Sequence, residues 1–393
     1  MSADRLEAEV TLSRHEQENL QRLRDLANHL PRPPRPGLRA ATEILLDAGR
    51  MVPKNGISIT LPGRSLRLLP RRVFNSNGEA TDAVELFLLQ DEAKGTGGSR
   101  MIRKRVQRQT LDVTTIGWLS EALFYCDVAP RLACEAIRVP AVYGCRTDDD
   151  SVTLVMEFLV NRSYDIPAVD RLRLLARAVG RLGAYTHLNA LYMRPWAERV
   201  SPRMNLQALM ALPQLVSDCL PGDEGERCIS ALEDFIDAPQ LHQLLSQRGI
   251  ACLAHGDLHL WNAFSLDDGE IGIIDWSYVG QGFIGEDIAR LMLPHFVAHP
   301  AWADQPDFAV SVKEMTDAVI VGAKGLLPSL DEEAVRLAIA KALLLAMGNV
   351  AGQNPGASMQ RLADGDEVFR TRLRSVFRYA AETANQLMAR FGG

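Results

Sequence analysis

Apolar and polar positions change rhythm twice along the chain. Over 2–29, Leu6, Val10, Leu20, Leu23, Leu26 and Leu30 recur at loosely helical spacing among many charges, which predicts a helix. Pro31-Arg32-Pro33-Pro34-Arg35-Pro36 stops it and forms a stiff linker, and a second helical stretch covers 38–51. From Ile57 the period becomes two. Ile57, Ile59 and Leu61 alternate with polar residues, Leu66, Leu68 and Leu69 lead to Val73 and Phe74, and strands follow at 84–90 and 101–106. Asn75-Ser76-Asn77-Gly78 supplies turn chemistry between two of them. A helix beginning near Thr114 and Thr115 places Glu121 about two turns in. A loop and strand over 129–144, an Asp148-Asp149-Asp150 turn and the strand SVTLVMEF at 151–158 close this region. The rhythm then turns helical. Leu172, Leu175, Val179 and Leu182 line one face of a helix over 169–191, and further helical stretches in 205–249 are separated by Pro213 and Pro221-Gly222. A short helix at 288–292 and helices over 308–325, 331–346 and 368–391 finish the chain. A strand meander followed by helices is an α+β pattern. It divides into a helical extension (1–52), a strand-rich part (53–158) and a helical part (159–393).

Composition narrows the function classes. The 393 residues are 47% hydrophobic and 23% charged, which describes an ordinary globular protein of about two domains. A net charge of −6 argues against nucleic-acid partners, which call for a strong basic balance. The charge is uneven: residues 1–72 hold 13 Lys and Arg against 8 Asp and Glu, so the remainder carries −11. An acidic C-terminal body suits either a cationic acceptor or a plain solvated surface. The six cysteines show no CxxC pair or zinc spacing and read as buried thiols of a reducing compartment. No N-terminal signal and no uninterrupted run of 18 apolar residues appears, so no membrane and a cytoplasmic location are expected.

The candidate chemistry gathers in HGDLHLWNAF (255–264) and IGIIDWSYVGQGFIGED (271–287). Asp257 and Asn262 share a loop. The apolar run Ile271, Ile273 and Ile274, set off by Asp267-Asp268-Gly269, reads as a hairpin strand that returns Asp275 beside that loop. Three oxygen-bearing side chains would then converge, a set suited to moving a phosphoryl group onto a hydroxyl. Mg2+ takes oxygen ligands and keeps one or two protein groups, which Asn262 and Asp275 can supply. Asp257 is left to orient the attacking hydroxyl and accept its proton. His295 and His299 stand i,i+4, but Pro294 and Pro300 bracket them and no zincin pattern accompanies them, so zinc is not expected.

HGDLHLWN followed by IIDWSYVGQGFIGEDIARL resembles the aminoglycoside phosphotransferase and choline kinase-like family, small-molecule relatives of protein kinases. The resemblance implies a bilobal protein kinase-like fold, with a small antiparallel β-sheet N-lobe and a mostly helical C-lobe. It makes Asp257 the catalytic base with His255 bracing its loop, Asn262 and Asp275 the metal ligands, and Asp287 a support for the segment after Asp275. By the same likeness ATP or GTP with Mg2+ is the phosphoryl source. Backbone groups of Glu157, Phe158 and Leu159 would meet the base. On the strand RMIRKRV, Ile102 and Lys104 share a face, Ile102 for the base and Lys104 for the phosphates, with Glu121 pairing the lysine. A basic edge strand, with Arg103 and Arg105 flanking, remains the other reading of Lys104.

The strand-rich part has no G-x-G-x-x-G; Asn75 to Glu79 is the only candidate phosphate cover there, and Gly95-Thr96-Gly97-Gly98 reads as a flexible turn. The resemblance implies a small-molecule alcohol as acceptor, with an aminoglycoside or other antibiotic favoured and a choline-, sugar- or homoserine-type substrate or a silent scaffold as alternatives. Acidic Glu314, Asp317, Asp364, Asp366 and Glu367 would either meet a cationic acceptor or form an exposed helix face. The N-terminal extension is left open between packing on the N-lobe and mediating a homodimer.

Overall fold

The computed structural model describes residues 13–47, 52–75, 83–92, 98–108, 118–132, 134, 137–161, 168–197, 206–266, 270–298, 307–347 and 355–391. Its chain forms two compact units, residues 1–132 with 140–158 and residues 133–139 with 159–393. The fold class is α+β.

The first unit is built on a six-stranded antiparallel sheet. Its strands are β1 (Ile57–Leu61), β2 (Arg64–Asn75), β3 (Ala83–Asp91) and β4 (Gly98–Gln107). The two-residue strand β5 (Ile137–Arg138) belongs to the second unit, and β6 (Val142–Thr147) and β7 (Ser151–Glu157) return to the sheet in the order β1-β2-β3-β4-β7-β6. Pro70 sits where the β2–β3 register shifts, a place that tolerates a residue without a ladder donor.

Helix α1 (Arg14–Asn28) opens on a capping box in which Ser13 and Glu16 satisfy each other's backbone N–H groups. Helix α2 (Pro36–Leu46) begins with proline, whose missing donor costs nothing there. Leu38, Ala41 and Leu45 point one face of α2 at the sheet and bury against Ile59, Leu66, Leu68, Phe87, Leu89, Met101 and Val155. The N-terminal helices therefore pack within the first unit. On the opposite sheet face Leu86, Leu88, Ile102 and Lys104 stay half-buried. Helix α3 (Ser120–Leu123) continues into a wider turn over Phe124–Val128. Glu121 lies in the first turn of this described helix; residues 109–117, where the sequence puts the helix start, lie outside the described residues.

In the second unit helix α4 (Ala168–Leu188) is followed by α5 (Leu206–Cys219), α6 (Asp223–Ile236) and α7 (Pro239–Arg248). Strand β8 (Ala251–Ala254) leads to the hairpin β9 (Ala263–Ser265) and β10 (Ile271–Ile273), and β10 also pairs in parallel with β5. Strand β11 (Gly280–Phe283) pairs with β8. Then come α8 (Asp287–Ala298), α9 (Phe308–Lys324), α10 (Glu332–Leu345), α11 (Pro355–Ala363) and α12 (Glu367–Phe391).

Two expectations fail here for one reason. Pro213 lies inside α5 and Pro294 inside α8, so neither ends its helix. Leu212, Leu215 and Val216 around the first, and Leu291, Met292, Leu293, Phe296 and Val297 around the second, are buried. Their burial outweighs the roughly 3 kcal/mol that an interior proline costs. Helix α8 thus carries His295, expected in a loop. Where α4 meets α9 the backbones nearly touch: a Cβ on Gly180 would lie 1.9 Å from the Val319 carbonyl oxygen, and one on Gly322 would lie 1.9 Å from that of Arg177. All six cysteines are free thiols. Among the described residues, no helix is long and apolar enough to cross a membrane.

Candidate active site

Strand β8 delivers His255, Gly256 and Asp257 into a loop fixed from behind by α8. Asp287, the first residue of that helix, accepts the His255 N–H at 2.9 Å on one carboxylate oxygen and the Gly256 N–H at 2.8 Å on the other. Gly256 has φ +80°, and a Cβ there would stand 2.3 Å from the Tyr278 carbonyl oxygen, so the turn requires glycine. His255 is buried and takes the Asp257 N–H on Nδ1 at 3.3 Å while its Nε2 lies 2.9 Å from the Ile274 carbonyl oxygen. A peptide N–H only donates and a carbonyl only accepts, so Nδ1 is the accepting nitrogen and Nε2 the donating one. It joins the Asp257 loop to the segment carrying Asp275, and it packs on Trp276.

The hairpin brings the other oxygens in. Ala263 pairs with Ile273, and the Ile274 N–H donates to the Asn262 carbonyl at 2.8 Å. Asp275 follows directly, so it emerges beside Asn262. The Asn262 side-chain nitrogen donates to the Asp257 backbone carbonyl at 3.1 Å, which leaves its oxygen as the end able to ligate a cation. Asp275 has φ +60°, a left-handed conformation that costs a non-glycine residue energy and persists where the surroundings enforce it. The Ser277 hydroxyl holds its Oδ1 at 2.6 Å. Asn262 and Asp275 fit a hard divalent cation that completes its shell with phosphate oxygens and water. Among the described residues no group of three or more His, Cys, Asp or Glu forms a metal cage.

The Asp257 carboxylate is partly exposed and has a partner that the spacing of motifs did not single out. Arg290 Nη1 donates to Asp257 Oδ1 at 2.9 Å. Arg290 stands three residues after Asp287, on the same face of α8, so one helical turn holds the loop's backbone and its carboxylate together. Helical periodicity applied to EDIAR would have found it. His259 Nε2 lies 3.8 Å from Asp257 Oδ2; burial pushes this imidazole's pKa down, opposed by Asp257.

In the first unit Lys104 Nζ meets Glu121 Oε2 at 2.7 Å, both nearly buried, which answers the choice between a paired lysine and a solvated basic edge. Ile102 sits two residues away on the same face. Of the three residues expected to meet a base, Glu157 gives its N–H to the Ala141 carbonyl at 2.8 Å and Phe158 gives its N–H to that of Arg100 at 3.3 Å. Residues 76–79, the expected phosphate cover, and 95–97 lie outside the described residues. So does His299.

The sequence model of the Phosphotransferase enzyme family matches residues 95–309, more than half of the chain. The chain belongs to this family. As a member of the Phosphotransferase enzyme family it is an enzyme, and the matched span contains Lys104, Glu121 and the whole of the 255–290 site. Among curated proteins none matches the sequence. Similar solved structures include choline kinase from Cryptosporidium parvum Iowa II (13% identity, 81% of this chain and 90% of that one covered, TM-score 0.44). Others are aminoglycoside phosphotransferase from Alicyclobacillus acidocaldarius (11%, 81% and 93%, TM-score 0.43) and Plasmodium vivax ethanolamine kinase (15%, 80% and 83%, TM-score 0.41).

The acidic residues of the late helices have other employment. Glu314 pairs with Arg173, Asp317 with Lys313 and Arg336, Asp366 with Arg361, and Glu367 with Arg370 and Arg374, while Asp364 accepts from Gln360. They form a laced helix surface. A cavity of about 620 Å3 bounded by Cys219, Asp307, Arg374 and Tyr379 contains none of the loop residues described above.

Proposed function

We propose that this phosphotransferase moves the γ-phosphoryl group of ATP or GTP to a hydroxyl of a small molecule. The observation that carries the reading is the Asp257 carboxylate, held on one oxygen by Arg290 and carried on the same loop as Asn262, beside Asp275. In this reading the acceptor hydroxyl hydrogen-bonds to Asp257 Oδ2. Its oxygen attacks the γ-phosphorus as the bond to the β,γ-bridging oxygen breaks, its proton passes to the carboxylate, and the nucleoside diphosphate leaves. Asn262 and Asp275 hold Mg2+, which when bound neutralises charge on the phosphate oxygens. Lys104, kept in place by Glu121, grips the phosphates. Backbone groups of the 157–159 segment meet the base.

For the acceptor we favour an aminoglycoside or another antibiotic or natural-product alcohol, with choline-, sugar- and homoserine-type alcohols as the alternative. Nucleotide turnover with Mg2+ against aminoglycosides, macrolides, choline, homoserine and sugars tests this. Transfer to one class identifies the acceptor. Asp257→Asn is expected to abolish nearly all of that turnover and to leave Mg-nucleotide binding close to that of the parent. An Asp257→Asn enzyme with near-parental turnover removes the base from the scheme.

A further inference from the structure

Lys104 and Glu121 reach their 2.7 Å contact from different elements, β4 and α3. The spacing of those elements sets the contact, because a displacement of about 1 Å stretches it beyond hydrogen-bond range. The flanking residues show what does. Arg108 follows directly on the end of β4, and Trp118 stands two residues before α3. Both donate to one carboxylate, that of Glu16 in α1. Arg108 Nε reaches Glu16 Oε1 at 2.9 Å and Nη2 reaches Oε2 at 3.0 Å, a two-pronged contact, while Trp118 Nε1 donates to Oε1 at 3.2 Å.

The carboxylate is itself anchored. The Ser13 N–H donates to its Oε2 at 2.8 Å, so the same group closes the helix's capping box. Burial alone would raise the Glu16 pKa, but bonds from Arg108 and Ser13 and the Arg108 charge outweigh it and bring it down to about 2. The far end of α1 is fixed too, with Arg24 donating to Thr147 Oγ1 at 3.3 Å and to Asp149 at 2.8 Å, and Leu20 and Leu23 buried between. A helix docked at both ends is a firm base from which one side chain can hold two elements.

We propose that Glu16 is a positioning residue for the nucleotide site: it ties the lysine strand to the glutamate helix, so that the N-terminal helix sets the affinity for nucleotide phosphates. This rests on the reading of Lys104 as the phosphate-binding cation. An amide at position 16 keeps the shape of the side chain but turns an NH2 group toward one prong of the Arg108 guanidinium, which has only donors. The amide oxygen can still accept from Arg108 Nε and Trp118 Nε1, but the second prong, the bond from Ser13 and the charge that holds Arg108 are lost, which loosens the common anchor.

The test is direct binding of Mg-ATP and Mg-GTP, by calorimetry, to the full-length protein and to Glu16→Gln, each in a parental and in a Glu121→Gln background. Glu16→Gln is expected to weaken binding about tenfold in the parental background. In the Glu121→Gln background the same change should cost less than twofold, because the pair it serves is already broken. Trp118→Phe, which removes a single N–H, should weaken binding about threefold with little change in melting temperature, and it serves if Glu16→Gln folds poorly. Unchanged affinity in these variants, or a tenfold loss that persists undiminished in the Glu121→Gln background, overturns the inference. A parental protein that binds neither nucleotide removes the underlying functional reading instead, and that result appears before any variant is made.

Discussion

Arg290→Met is the perturbation that bears most directly on the proposed chemistry. The contact it removes spans 2.9 Å between side chains about a fifth exposed, 20% for Arg290 and 24% for Asp257. At an effective dielectric of about 20, unit charges roughly 4 Å apart interact by about 4 kcal/mol, an upper bound because both groups still see water. Hydrogen bonds to charged groups measured by mutation contribute about 1.5–3 kcal/mol. Should most of that energy serve to hold Asp257 for the attacking hydroxyl, the loss is on the order of 10- to 100-fold in kcat. Arg290 touches the proposed base and leaves Asn262 and Asp275 to their own contacts, so the KM for nucleotide should move less than twofold. Steady-state kinetics with varied nucleotide at saturating acceptor separates the two constants. Guanidinium ion added to the variant should restore part of the rate, which a merely structural arginine would not show. Arg290→Lys should recover part as well, since lysine supplies the charge without the planar fork. An unchanged kcat, or a loss shared equally by kcat and nucleotide affinity and insensitive to guanidinium, refutes the positioning argument.

Asp275→Ala should weaken Mg-nucleotide binding itself, and an unchanged affinity by calorimetry would count against its role as a ligand. Glu16 makes a prediction about acid stability. Its folded pKa of about 2 lies well below the ordinary 4.5, which makes the ionised carboxylate a contribution on the order of 2–3 kcal/mol with the side chain 14% exposed. Because the folded value is depressed, this stability is present above about pH 4.5 and is lost as pH falls toward 2. Urea denaturation from pH 7 to pH 2.5 should show Glu16→Gln less stable at neutrality but losing less on acidification; parallel losses in both proteins contradict the assignment. Gly180→Ala would put a methyl group 1.9 Å from a backbone oxygen and is expected to lower stability by more than about 3 kcal/mol, read as a lower denaturation midpoint at unchanged slope.

Much of the site was legible because its residues are close in sequence and separated by turn chemistry. Asp257, Asn262 and Asp275 were predictable neighbours once 271–274 was read as the return strand of a hairpin. Lys104 and Glu121 were placed by order along the chain and by strand alternation, and the ion pair joins them. Arg290 lies outside the motif, and its role follows from standing one turn past Asp287 on a helix. Pro213 and Pro294 show the opposite case, in which burial of the neighbouring side chains overrides local propensity. The partner of Glu314 is Arg173, far away along the chain, and spacing within one helix carries no record of that, whereas the Lys313–Asp317 pair is one turn apart on α9.

The crossing of α4 and α9 bears on how such an enzyme can change. Side chains usually form a compliant layer between helices, and a new substituent is absorbed by its neighbours' rotamers. At Gly180 and Gly322 there is no such layer, and each backbone is the other's wall. Segments 177–180 and 319–322 are therefore the wrong place for diversity in a library that seeks new acceptors. Variation is better confined to exposed positions, where a new side chain meets water instead of a facing backbone.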